Sequence, residues 1–526
     1  MEERAGRGML SNLRVPGSVV QLNLKRPSSA RLLFDTIFAM SSPHYDAVIV
    51  GSGPNGMAAG ITLAREGLRV LIVEARDTPG GGMRSAELTR PGFVHDICSA
   101  VHPMAGMSPF MRGLPLAKFG LEWVHPEILL AHPLAGGRAA GLWRSVDETA
   151  ESLPQGDGAR WRRLMEPLVP RAEGLFADLL GPLPLWPGEP LALARFGLGA
   201  VRSAVGLAKG KFCSEEARAL FVGNGAHSFL PLERSFTAAV GLALGLAGHA
   251  GGWPVARGGS GAIASAMARY FEALGGELRC GVTVSDVREL PEAAAVLCDT
   301  GPRAVARLAQ AWLPLGYRRR LERYRYGPGV FKMDYALSEP VPWLNPWCRR
   351  AGTVHVGGTM AELAAAERAT WEGQETDRPF VLVGQQSECD PLRAPAGQHT
   401  LWAYAHVPSG SRKNYAEVIA NQIERFAPGF RDVVLASHAM DPGAVEAYNA
   451  NNVGGDVIGG VMDWRQLFTR PVARWNPYTT PHPKLFHCSS ATPPGAGVHG
   501  MCGYHAARTV LRRVFGMRPE AAAKQG

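Results

Sequence analysis

Three glycines, Gly51, Gly53 and Gly56, stand in the run Gly51-Ser52-Gly53-Pro54-Asn55-Gly56 with the spacing of a phosphate-cradling turn. The first lets the chain bend sharply after a strand. The second lets backbone N–H groups approach a pyrophosphate, and the third lets the next helix pack closely on its sheet. A helix entered at Pro54 and Asn55 also turns its positive dipole end toward the phosphates. Glu74 lies 23 residues beyond Gly51, where a carboxylate binds ribose hydroxyls. This chemistry is dinucleotide binding, and these residues alone leave FAD and NAD open.

The elements that must hold such a turn are legible around it. Ala47-Val48-Ile49-Val50 reads as a strand, about Asn55 to Glu66 as a helix, and Arg69 to Glu74 as a second strand. Continuous apolar strands flanking one helix are what a buried parallel sheet requires, so the unit is βαβ. A second glycine cluster, Pro79-Gly80-Gly81-Gly82, follows at once, and a third, at 251–263, leads into another helix. Further strands are expected at Ala295 to Cys298, Val330 to Leu337, Phe380 to Val383 and Lys484 to Cys488. Helices are expected at Asn414 to Phe426 and from about Val498 to Val514. Residues 130–250 are mostly helical in pattern, with Phe236 to Gly248 as a buried helix and prolines at 182, 184, 187 and 190 marking a break.

The fold class is therefore α/β: a discontinuous two-dinucleotide-binding, Rossmann-like domain with an inserted mixed α+β substrate domain. Its cofactor-binding segments are expected at 44–130, 251–310 and 476–517. A helical insertion at 131–250 and a substrate domain at 311–475 separate them, and disordered ends are expected over 1–43 and 518–526.

Composition narrows the function classes. A chain of 526 residues with 46% hydrophobic content holds more than one domain. The charge of +9 comes from 55 basic and 46 acidic residues spread without long basic runs, which speaks against nucleic acid as a partner and leaves a mild attraction to anionic small molecules or membrane surfaces. Eight cysteines without a C-x-x-C pair indicate neither a disulfide scaffold nor a metal site, and fit a reducing, cytoplasmic setting. No apolar run reaches the roughly 20 residues of a membrane span. Glu2 and Glu3 argue against an organelle signal, and the first 43 residues read as a disordered extension, with an over-long start before Met40 as an open alternative.

The stretch from Asp46 to Pro103, the segment GWPVARGGSGAI and the tail SSATPPGAGVHGMCGYHAA together resemble the phytoene desaturase-related FAD oxidoreductases. That group includes the pyridine nucleotide-disulfide oxidoreductase domain proteins and belongs to the wider amine oxidase superfamily. The resemblance implies FAD as cofactor. It implies that Glu74 binds the adenosine ribose, and that Ala75, Arg76, Gly80, Gly81, Gly82, Met83 and Arg84 run beside the pyrophosphate and flavin. It also implies that Gly495, Gly497, Val498 and His499 meet the pyrimidine end of the ring, where charge gathers on reduction. Cys488-Ser489-Ser490 stands where related flavoproteins carry a glycine and an acid that binds the ribitol.

Lys332 resembles the lysine that amine oxidases hold through a water near flavin N5, where its charge assists the reaction with oxygen. His102 and His499 are candidates to shuttle a proton or to hydrogen-bond the flavin, with a structural role favoured for His102. Between Leu191 and Lys211, Arg195, Arg202 and Lys209 recur every seven residues, with Leu191, Leu198, Val201 and Val205 on another face. This reads either as a substrate-domain helix with a solvated basic edge, which is favoured, or as an amphipathic helix making peripheral membrane contact. The activity expected is hydride transfer from a small apolar or amine substrate to flavin N5, with reoxidation by oxygen, a quinone or another acceptor. The alternatives are a flavin-dependent isomerase, a non-catalytic flavin-binding interaction protein and a nicotinamide-dependent dehydrogenase.

Overall fold

The computed structural model describes residues 44–182 and 186–518. The expectations for 1–43, for Pro184 and for nearly all of 518–526 fall outside them.

Two sheets organise the chain. The first is wholly parallel and has the order β5-β4-β1-β2-β3, with β1 Tyr45–Val50, β2 Val70–Val73, β3 Glu277–Arg279, β4 Ala293–Cys298 and β5 Leu485–His487. It is assembled from three separated stretches of sequence. Its strands are apolar on both faces because both are covered. Ala47, Ile49 and Ile72 pack with the helix α1 (Pro54–Arg65), while Val48, Val50, Leu71 and Val296 pack with Val305, Tyr317 and Leu321 on the opposite side. Observed ends lie within one or two residues of those expected for β1, β2, β4 and β5, an ordinary uncertainty where ladders fray.

The second sheet has seven strands in the order Val434–Met440, Gly329–Leu337, His399–Val407, Val381–Gly384, Ala351–Val356, Ile128–Pro133 and Ala139–Leu142. Its pairs are antiparallel except Ala351–Val356 with Ile128–Pro133. The boundary expected at residue 130 therefore falls inside a strand of this sheet, and the expected helical insertion opens with a hairpin. That hairpin turns at Gly136 and Gly137, both at positive φ.

Helices α2 (Ala172–Leu179), α3 (Pro190–Ala200), α4 (Ala204–Lys211), α5 (Glu215–Ala226) and α6 (Thr237–Gly251) follow. The single amphipathic helix considered for Leu191 to Lys211 is instead α3 and α4, bent by 98°. The break has a local cause: glycines at 197 and 199 weaken the end of α3, and the Ser203 hydroxyl accepts from the Gly206 N–H at 3.0 Å to start a new helix. Leu191, Leu198 and Val201 are exposed, at 87%, 77% and 51%, whereas Val205 is buried, so the four do not share one face. Among the described residues no single helix is long and apolar enough to cross a membrane. The last helix, α7 (Met501–Arg513), begins three residues after the expected start because the chain turns at Gly500 with φ +69°. It crosses α1 so closely that a side-chain carbon on Gly503 would stand 1.8 Å from the Asn55 carbonyl oxygen. That crossing brings the C-terminal turn to the first glycine turn.

Candidate functional site

The glycine turn is closed by the strands beside it. The Gly51 N–H donates to the Val73 carbonyl at 2.8 Å, and a carbon added to Gly56 would lie 2.0 Å from the Gly51 carbonyl oxygen. Gly81, at φ +56°, brings the second glycine cluster onto the first: a carbon there would meet the Gly53 Cα at 2.8 Å. No side chain fits at either contact, which leaves backbone N–H groups free to face a phosphate.

Glu74 ties the two clusters together. Its carboxylate accepts from the Ser52 N–H at 2.9 Å, the Ser52 hydroxyl at 2.7 Å and the Arg76 N–H at 3.0 Å, and pairs with Arg84 at 3.2 Å. Burial alone would raise this carboxyl, but the Ser52 and Arg76 hydrogen bonds and Arg84 hold it below the ordinary carboxylate range. Arg84 also donates to the carbonyls of Thr78 and Gly81, and Arg76 to those of Ala447 and Tyr448.

These residues open onto one cavity of about 1650 Å³. Gly51, Gly53, Pro54, Asn55, Glu74, Ala75, Arg76, Gly81, Gly82 and Arg84 line one end. Ser489, Ser490, Pro494, Gly497, Val498 and His499 line the middle. The far lobe is apolar and includes Leu179, Leu193, Phe196, Leu230, Val240 and Leu244. Gly56, Gly80 and Gly495 shape the turns from behind the wall, and Met83 is fully buried in the core rather than on the cavity.

The two expected catalytic residues are both engaged with near neighbours. Lys332 does not line this cavity but a small adjoining one, whose wall shares Cys98, Trp402, Tyr404 and Tyr448 with the main cavity. Its ammonium pairs with Asp334, two residues along the same strand, and both side chains are buried. The strand period puts both on one face, so the two side chains pair there. His499 lines the cavity, but both ring nitrogens are occupied by its own turn: Nδ1 accepts from the Met501 N–H at 3.0 Å and Nε2 donates to the Ala496 carbonyl at 3.2 Å. Burial lowers its pKa to about 4, so it is a neutral ring that caps α7, not a proton shuttle.

His102 shows the reverse. It lines the cavity, burial lowers its pKa to about 4, and its Nδ1 has no partner. Two residues without a sequence signal also join the site. Asp299, just past β4, accepts from the Gly56 N–H at 2.8 Å. Burial, outweighing that bond, pushes its carboxyl well above the ordinary value. Arg470 is buried at 1% exposure, donates to the Gly459 and Ser490 carbonyls and the Tyr324 hydroxyl, and has no ion pair among the described residues. Its Nη1, without a partner, sits 3.0 Å from where a carbon on Gly495 would be.

These features fit a dinucleotide with a flavin. The buried Asn55 side-chain oxygen and Arg470 Nη1 are polar atoms without protein partners on this wall, and the glycine cradle would be filled by any Cβ. Glu74, Ser52 and the turn N–H groups would hold the adenosine half, and Ser489, Ser490, Arg470 and the 494–499 turn the flavin half.

Comparisons with known proteins agree with this geometry. A family model described as an NAD(P)-binding Rossmann-like domain matches residues 49–112. The chain is similar to the mouse (Mus musculus) pyridine nucleotide-disulfide oxidoreductase domain-containing protein 2, with 25% identity over 90% of this chain and 94% of that one. It is also similar to a phytoene dehydrogenase of Streptomyces griseus, with 26% identity over 76% of this chain and 79% of that one. Its fold matches that of wild-type putrescine oxidase solved with putrescine, at a TM-score of 0.57 and 19% identity, over 89% of this chain and 99% of that one. The family resemblance and the Rossmann-like α/β class read from the sequence are borne out, and the phytoene dehydrogenase and putrescine oxidase among the similar proteins are oxidoreductases by name.

Proposed function

We propose that the chain is an FAD-dependent oxidoreductase acting on an uncharged, apolar, isoprenoid- or lipid-like molecule. The observation that carries this is the continuous cavity from the Gly51 turn to a lobe built from α2, α3 and α6. FAD, held by Glu74, Ser52 and the glycine turns, would supply the redox chemistry as a hydride acceptor. The protein's part is to bind, orient and exclude water, and the leucines and Phe196 give the lobe the apolar surface for this.

The carboxylates on the wall favour this substrate class over amines. There are three: Glu74 and Asp299 at the dinucleotide end, and Asp178, which accepts from the Gly188 and Glu189 N–H groups. Asp178 sits on α2 beside Leu179, and both its oxygens are already taken up by those two N–H groups, so it does not stand free to meet an ammonium. Phe468 and Trp475 line the cavity and are 50% and 91% exposed, and α3 turns Leu193 and Phe196 inward while Leu191 and Leu198 face out. Such an apolar rim suits a substrate delivered from a lipid surface.

The test is anaerobic. Isoprenoid and short aliphatic amine substrates are mixed with the FAD-loaded chain while absorbance near the flavin band is followed. Bleaching by an isoprenoid and not by amines is expected. Bleaching by amines alone overturns the substrate class, and bleaching by neither across a broad panel overturns the enzymatic reading.

A further inference from the structure

The apolar lobe is not apolar throughout. At the end of α5, His227 and Ser228 both line the cavity. The Ser228 hydroxyl is buried and has no protein partner. His227, His355 and His406 pack around Phe229 and Phe380, with His406 bonded to Glu367, and His132 lies beside His355 at Gly223. Their hydrogen bonds determine which nitrogen of His227 carries a proton.

The Nδ1 atoms of His132 and His355 both abut the Gly223 backbone: a carbon built on Gly223 would stand 3.0 Å from each. Neither has a hydrogen-bond partner. A buried N–H facing carbon costs more than a bare nitrogen there, so both rings carry their proton on Nε2. His132 Nε2 then donates to the Gly358 carbonyl at 2.7 Å, as the geometry requires. His355 Nε2 donates to His227 Nε2 at 3.0 Å. With Nε2 accepting, neutral His227 carries its proton on Nδ1, which makes no hydrogen bond among the described residues and belongs to a ring on the cavity wall. Two donors on successive residues, His227 Nδ1–H and Ser228 Oγ–H, therefore belong to the cavity wall, and Trp402 Nε1–H is a third buried donor without a partner on the same wall.

We infer that His227 and Ser228 form a subsite for a neutral acceptor oxygen, so that the ligand of this cavity is an apolar chain bearing a carbonyl or comparable oxygen, not a pure hydrocarbon. An ionised carboxylate does not fit, because the subsite offers no cation to accompany it into the lobe. His355 is a positioning residue: it fixes the His227 tautomer and touches no ligand. The inference rests on the proposed use of the lobe for substrate.

The FAD-loaded full chain is mixed with farnesylacetone, an isoprenoid ketone, and separately with the hydrocarbon of the same skeleton lacking the carbonyl. Binding is read by tryptophan fluorescence, and the ketone by its infrared carbonyl stretch. The bound stretch is expected below its value in hexane. Ser228→Ala, which removes one oxygen, and His227→Phe should each return it toward that value. Each should also lower the ketone-to-hydrocarbon affinity ratio about tenfold, the scale of one hydrogen bond. Comparing ratios cancels the partition of each probe from water. An unshifted stretch in the wild type, or a wild-type ratio in both variants, overturns the subsite. The cofactor reading fails separately, by absence of FAD uptake in a titration, since neither residue belongs to the dinucleotide end.

Discussion

Lys332 and His499 show how a residue can match a motif and still be committed elsewhere. Asp334 is two positions along the strand from Lys332, and Met501 and Ala496 are the turn partners of His499, so in both cases the competitor was local. What the sequence could not show is that the side chains turn toward those neighbours. The account makes a definite prediction for Lys332→Met: it leaves Asp334 buried and uncompensated, costing about 3–5 kcal/mol in a denaturant titration. The double variant Lys332→Met, Asp334→Asn should regain much of that loss, and a folded single variant should react with oxygen at a rate close to wild type. A large slowing of reoxidation in a stably folded Lys332→Met protein would restore the lysine to the flavin. Asp299 and Arg470 were invisible for a different reason. They come from stretches hundreds of residues from Gly51 and become site residues only through strand order and loop packing.

At the level of elements, β1, α1 and β2 were readable because each carries its own signal: an apolar run, a glycine turn, a second apolar run ending in an acid. The hairpin Ile128–Pro133 and Ala139–Leu142 was not, since its short apolar runs look the same in a helix or a buried strand, and its partners are far along the chain. The α1–α7 crossing was equally hidden. Gly503 looks like an unhelpful helix residue in sequence, whereas the structure needs it to let Asn55 approach. Gly503→Val should therefore force the helices apart, lowering stability by roughly 2–3 kcal/mol and weakening FAD uptake, measured by thermal unfolding and by cofactor titration. Retained stability and uptake would show that the crossing is not what holds the C-terminal turn to the glycine cradle.

The whole molecule buries many histidines without charge. Burial lowers the pKa of His102, His132, His249, His487, His499 and His505 to about 4 from the ordinary 6.5. Unfolding exposes them, and the unfolded chain then binds protons that the folded chain refuses. Their contribution to stability is thus complete above about pH 6.5 and is lost as pH falls toward 4, at up to about 1.4 kcal/mol per pH unit for each. The unfolding midpoint should be level from pH 8 to 7 and drop steeply below 6.5; a midpoint unchanged down to pH 5 contradicts it. The exposed rim makes a second prediction at this scale. Anionic phospholipid vesicles should carry the chain upward in a flotation gradient, and Leu198→Asp with Trp475→Asp should leave it at the bottom; flotation equal for both proteins removes the lipid surface from the account. The most direct measurement is FAD titration of the purified full chain beside its Gly56→Ala variant, in which the added carbon meets the Gly51 carbonyl oxygen. The account predicts one FAD bound per wild-type chain and greatly weakened binding in the folded variant. A wild-type chain that takes up no FAD, or a variant that binds it as well, would contradict it.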